Sequence, residues 1–148
     1  MKIALGADHG GVDLKDSISA YLKENGHEVL DYGTFGHDSV DYPDFAEKAA
    51  KAVVAGEAER GIVVCTTGIG ISIAANKIPG IRCALLSDVY SAKMTRDHND
   101  ANMIALGAGI VGKNLALAIV DTFLEVPFSE SVNHVRRIEK IKEIEKNI

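Results

Sequence analysis

Cys65 closes the β-branched run Ile62-Val63-Val64 and is followed at once by Thr66-Thr67-Gly68-Ile69-Gly70. A run of that kind fits a strand of a parallel sheet covered on both faces. Gly68 and Gly70 permit a tight turn, and the small apolar stretch from Ile71 to Ala75 reads as a helix. Such a strand–turn–helix junction aims several backbone N–H groups, and the positive end of a helix dipole, at one point. A thiol beside that point is favoured as the thiolate. The chemistry implied is a base or nucleophile next to an anion hole.

By residue type alone, Cys65 is a small buried hydrophobe at a strand end. The turn that follows it argues otherwise, whereas Cys83 sits in a strand-like segment with no such turn and keeps the plain reading. Other uses of a glycine turn fail on spacing. A dinucleotide fingerprint would need glycine at Ile73 and a first strand, and a Walker loop would need Gly-Lys-Ser/Thr. A cysteine phosphatase loop would want arginine at Ile71, and a thioredoxin motif a second cysteine at Gly68. What remains is an oxyanion-binding turn suited to a charge that develops during reaction.

Three further polar groups have candidate roles. Asp8-His9 follow the first apolar segment, where Asp8 also suits a helix cap. Ser87-Asp88 follow Ile81 to Leu86. His98-Asn99 lie in the polar stretch Thr95 to Asn102, which reads as a loop between helix and strand. A histidine there is a general acid or base only if it faces the Cys65 mouth. A receiver domain would carry an acceptor aspartate where Cys65 stands, and no His/Cys/Asp spacing reads as a metal site.

The elements that must position these residues alternate along the chain. Strands are expected over Lys2–Ala7, His27–Tyr32, the Cys65 segment, Ile81–Leu86 and Asn102–Leu106. Helices are expected from Gly10-Gly11 through Leu22, over Phe45–Ala55, Ile71–Ala75, Val89–Arg96, Gly112–Leu124 and Val132–Asn147. Strands each followed by a helix predict an α/β fold: a Rossmann-like, three-layer αβα sandwich around a five-stranded parallel sheet. Ligands bind such sheets beyond the carboxyl ends of the strands, so several of the polar residues above can converge at one mouth there. The last helix carries Val132, Val135, Ile138, Ile141 and Ile144 at three-residue steps, a stripe that needs either its own sheet or a partner.

The 148 residues read as one domain, residues 1–148, able to bury roughly 70% of the unfolded surface. A net charge of −5 without a basic stripe argues against nucleic-acid binding. No apolar run approaches the ~18 residues of a membrane span. With no export signal read at the N-terminus, a Cys65–Cys83 disulfide is not expected, and a cytoplasmic enzyme or binding domain is.

With these residues placed, the chain resembles the type B ribose-5-phosphate isomerases, a family that includes the two-subunit galactose-6-phosphate isomerases. The matching stretches are Ile3 to Gly11, Asp41-Tyr42-Pro43-Asp44, Gly61 to Lys77, Ser87 to Ala92 and Arg96 to Asn102. The resemblance implies a metal-free and cofactor-free aldose–ketose isomerase of sugar phosphates, working as a homodimer with sites shared between subunits. It implies Cys65 as the base between C1 and C2, with Thr67 assisting at the adjacent oxygen. Thr66, Thr67, Gly68, Ile69 and Gly70 are then the anion hole, and His98 the proton donor that opens the sugar ring. Asp8 and Asn99 bind hydroxyls, Tyr42 lines the pocket, and His9, Arg136 and Arg137 hold the phosphate.

Three positions depart from the family's usual pattern. Thr66 stands where glycine is usual, and Gly109 and Asn133 where phosphate-binding arginines are. Fewer cations predict a comparatively high KM for ribose 5-phosphate, and turnover of unphosphorylated aldoses at high concentration. The alternatives are an isomerase of galactose 6-phosphate, allose 6-phosphate or a free aldohexose, or a non-catalytic sugar-phosphate-binding module.

Overall fold

A computed structural model describes all 148 residues. The strands are β1 (Lys2–Ala7), β2 (Glu28–Asp31), β3 (Arg60–Cys65), β4 (Cys83–Leu85) and β5 (Met103–Gly107). The helices are α1 (Val12–Glu24), α2 (Tyr42–Val54), α3 (Ile69–Ala75), α4 (Val89–Asn99), α5 (Lys113–Glu125) and α6 (Val132–Lys146). All five strands are parallel, in the order β2-β1-β3-β5-β4. Ala7 pairs with Val64 and Cys65 with Gly107, so three central strands end side by side beneath one mouth.

The alternation of side chains across the pleat builds two cores. Ile3, Leu5, Ile62, Val64, Ile104 and Leu106 face α1, α4 and α5, while Ala4, Val63, Cys65, Met103 and Ala105 face α2 and α3. This is the three-layer αβα sandwich expected. Small residues set the spacing on the second face: Ala46, Ala49 and Ala50 let α2 lie close over β1 and β3. No helix is long and apolar enough to cross a membrane.

Several boundaries differ from those expected. Helix α2 begins at Tyr42, because Pro43 occupies its first turn, where a missing N–H costs nothing. Strand β4 shrinks to three residues, since the N–H of Arg82 is taken by Asn102 Oδ1. Asn76 then pairs with both the N–H and the carbonyl of Cys83, covering part of this sheet edge. Helix α4 runs on through His98 to Asn99, not ending at Arg96 before a polar loop. The reason is the buried Arg96 guanidinium, which binds Asp100 Oδ1 at 2.8 Å and the carbonyls of Ala101 and Val126. Asp100, at φ 46°, then ends the helix.

Helix α6 packs against α4, and of its apolar stripe only Ile138 is buried. Val132 is 80% exposed and Ile144 65%, so the chain's own sheet does not cover the stripe. Ile141, Ile144 and Ile148 instead line a groove of about 440 Å³ with Ile81, Cys83 and Ala84 beside the β4 edge.

Candidate active site

Cys65 is the last residue of β3 and is 6% exposed. Its Sγ accepts the Gly68 N–H at 3.1 Å, a donor placed where charge on sulfur would need it. Gly68 reaches this position at φ +77°, a conformation that side chains rarely adopt, and a Cβ there would lie 2.6 Å from Leu85 Cδ1. Cys83 contrasts with it. Burial alone pushes the Cys83 thiol up to about 12, so it stays protonated and plays no acid–base part.

The turn beyond Cys65 is built from local bonds. Thr67 Oγ1 accepts the Ile69 N–H at 3.2 Å, which leaves the Thr67 hydroxyl proton free to donate into the mouth. The Gly70 and Ile71 N–H groups, at the start of α3, bond to no carbonyl of the chain. Gly70 is required for a reason other than the turn. Its backbone is helical, and a Cβ would lie 2.6 Å from Tyr42 Cζ, so the tyrosine ring rests directly on it. Thr66 packs beside the turn between two glycines. A Cβ at Gly10 would overlap Thr66 Oγ1, and one at Gly109 would stand 3.1 Å from the Thr66 carbonyl oxygen.

Asp8 follows β1 and is 7% exposed. Its Oδ1 accepts the Gly10 N–H at 2.9 Å in an Asx turn, so it does not cap α1, which starts from Gly11. Oδ2 accepts no hydrogen bond from the chain. His9 is exposed, and its Nδ1 accepts the Val40 N–H at 3.2 Å, which turns Nε2 outward. Asp8, His9, Tyr42 and residues 66–70 therefore gather around Cys65.

His98, Asn99, Arg136 and Arg137 do not. Helix α4 starts at the carboxyl edge of the sheet and returns to its amino edge. There the Asn99 carbonyl accepts from Arg82 Nε at 2.9 Å, just ahead of β4. Cys83 is level with Met103 and Gly61, four residues before Cys65 on β3. That separates the two groups by ~13 Å along the strands. Within one chain, therefore, only some of the polar residues converge at the Cys65 mouth: a helix, unlike a loop, carries His98 away from it. His98 lies 3.3 Å from Asp97 Oδ2 and stacks on His134, with ring centroids 4.4 Å apart. Arg136 and Arg137 sit exposed on the next turn of α6, Arg136 donating to Asn133 Oδ1 at 3.0 Å. The candidate residues thus fall into two separate groups on the chain.

Sequence reasoning missed two supports. Lys15 is fully buried, with both Asp31 carboxylate oxygens within 2.9 Å and the Phe35 ring 4.8 Å away. Asp31 also holds the Gly33 N–H, and Gly33 brackets Ala7 through its carbonyl, which steadies β1 just before Asp8. The signal was the position of Lys15, between Leu14 and Ile18 on the apolar face. Removing either partner of such a buried pair costs about 3–5 kcal/mol. The second support, His134, had no signal apart from its type.

Residues 3–141 match the family model for ribose/galactose isomerases, a span that includes both groups of candidate residues. The chain belongs to the ribose/galactose isomerase family. Ribose-5-phosphate isomerase B of Escherichia coli is 49% identical over 144 residues, covering 97% of this chain and 96% of the relative. A solved structure of Clostridium thermocellum ribose-5-phosphate isomerase B is 57% identical, with a TM-score of 0.98 over 99% of both chains. A ribose-5-phosphate isomerase B from Mycoplasma genitalium, solved with bound ribulose-5-phosphate, is 37% identical with a TM-score of 0.93, covering 99% of this chain and 97% of that one. Sugar-phosphate isomerisation is thus the chemistry to be accounted for.

Proposed function

We propose that the chain interconverts ribose 5-phosphate and ribulose 5-phosphate through an enediolate, in a cytoplasmic homodimer whose two copies complete each other's sites. The observation that carries the reaction is the Gly68 N–H on Cys65 Sγ inside a turn with further N–H groups to spare. In the open-chain aldose, the Cys65 thiolate takes the C2 proton. The electron pair left behind forms the C1–C2 double bond, and charge collects on O1. Donors fixed before the reaction stabilise that charge without reorganising. Thr67 moves the proton between the two oxygens, and the Cys65 thiol returns its proton to C1.

Ring opening precedes this, since ribose 5-phosphate is a furanose. His98 is the group assigned to donate to the ring oxygen, with Asn99 and Asp8 on hydroxyls, and Arg136, Arg137 and His9 on the phosphate. The separation of the two groups and the exposed α6 stripe support a second copy as the element that unites them. Two unpaired thiols agree with a reducing compartment.

The reaction is tested with EDTA-treated protein and ribose 5-phosphate in D₂O. Ketose forms, with deuterium entering at the transferred position in part of the product. Absence of ketose from every pentose and hexose phosphate overturns the proposal, and a thermal shift without turnover identifies a binding module.

Glycine at 109 and asparagine at 133 leave the phosphate fewer cations, which favours some use of other aldoses. Position 133 is the cleaner test, because Gly109 is crowded by Thr66 whereas Asn133 is exposed. Asn133→Arg is expected to lower KM for ribose 5-phosphate about tenfold, the scale of one charged hydrogen bond. Turnover of free aldoses does not improve. An unchanged KM means that the phosphate site is already complete.

A further inference from the structure

We propose that His134 is a positioning residue for His98, held in place by Ser129; this rests on the assignment of His98 as the ring-opening acid. The His98 side chain is 45% exposed at the last turn of α4, and its one polar contact is its sequence neighbour Asp97. An imidazole so placed is free to swing among rotamers. His134 limits that freedom by lying against it in a tilted contact, with ring centroids 4.4 Å apart and an interplanar angle of 37°. Phe128 approaches the same ring at 6.5 Å.

What orients His134 is a knot around Ser129. The Ser129 N–H donates to the Asp97 carbonyl at 3.1 Å, which ties the α5–α6 connection to the residue before His98. Ser129 Oγ accepts the Ser131 N–H at 3.1 Å and lies 2.6 Å from His134 Nδ1. That short contact fixes the His134 ring relative to the loop, whichever partner donates. A group that must hand a proton to a sugar oxygen thereby lies against a ring whose own position is fixed by Ser129. Ser129 and His134 together hold His98 in the one orientation that lets it serve the neighbouring site.

The test separates ring opening from proton transfer. Ribulose 5-phosphate has its O5 esterified, so no hydroxyl closes a five-membered ring on C2, and exchange of its C1 proton in D₂O needs no ring opening. His134→Ala is expected to slow turnover of ribose 5-phosphate about tenfold, the order of a misplaced catalytic group. The C1 exchange, followed by NMR, stays within about twofold of wild type, since it does not pass through His98. His134→Phe keeps an aromatic face on His98 and recovers most of the loss. Ser129→Ala, a small change at an exposed loop, shows a weaker selective loss. Equal loss in both assays, no loss in either, or a His134→Phe variant no better than His134→Ala overturns the inference. His98→Asn is run beside them. If it shows no selective loss, the ring-opening assignment itself falls; if it does and His134→Ala does not, only the role of His134 falls.

Discussion

Cys65→Ala is expected to lower kcat for ribose 5-phosphate by about 10³-fold or more, within the range that a positioned general base contributes. C1 exchange of ribulose 5-phosphate stops with it, because no other base stands at that point. Binding changes little: equilibrium titration with ribulose 5-phosphate should give a Kd within about threefold of wild type, since the thiol is a proton carrier and not a phosphate or hydroxyl contact. The variant also keeps its fold, because Cys65 is small and the alanine leaves the Gly68 turn, set by φ +77° and its packing on Leu85, in place. Cys65→Ser is the sharper comparison. Serine keeps the hydrogen bond to the Gly68 N–H, but its hydroxyl is too weak an acid to stand as an anion near neutrality. It is therefore expected to be nearly as inactive as alanine. Retention of most of the kcat in either variant would show that the proton moves by another route.

The contrast with Cys83 explains why this half of the site was legible in the sequence. Two cysteines end up buried in the same core, and what tells them apart is the local chain that follows each. The run Thr66 to Gly70 encodes its turn through short-range rules, and short-range rules can be read without a fold. The sheet was legible for the same reason: β-branched strands and amphipathic helices alternate with a strong period. The course of the chain around His98 was not. Thr95 to Asn102 is polar enough to read as a loop, yet the buried Arg96 side chain, bonded to Asp100, Ala101 and Val126, draws it into helix α4. Val126 is thirty residues away in sequence, so only the tertiary fold brings it there. One extra helical turn decides that His98 and Asn99 reach the amino edge of the sheet. The Lys15–Asp31 pair is another long-range event, a charge on an apolar face rescued by a strand end sixteen residues on.

Mixing two inactive variants is expected to restore activity. On the roles proposed, Cys65→Ala lacks the base and His98→Asn lacks the acid, so each homodimer would have two defective sites for furanose substrates. In a heterodimer made by co-expression with two different tags, one site collects both substitutions and the other neither, if each site takes Cys65 from one copy and His98 from the other. The purified heterodimer should therefore turn over ribose 5-phosphate at about half the wild-type rate per dimer, as two-fold symmetry requires. A site contained within one chain predicts the opposite, because each copy then keeps its own defect and the mixture is no better than its parts. The distances favour the first outcome. Four residues of strand rise, ~13 Å, stand between the level of Asn99 and that of Cys65, several times the reach of a hydrogen bond. No side-chain rotation within one chain closes that gap, and α4 is pinned at its end by Arg82 and Arg96. The same chain leaves Val135, Ile141 and Ile144 exposed along α6, next to His134 and the two arginines. If a second copy buries that stripe, as proposed, it would bring its His98 group along with it, and association and completion of the site would be one event. A fully active monomer at micromolar concentration by light scattering would break this link, and so would a heterodimer as inactive as its parents.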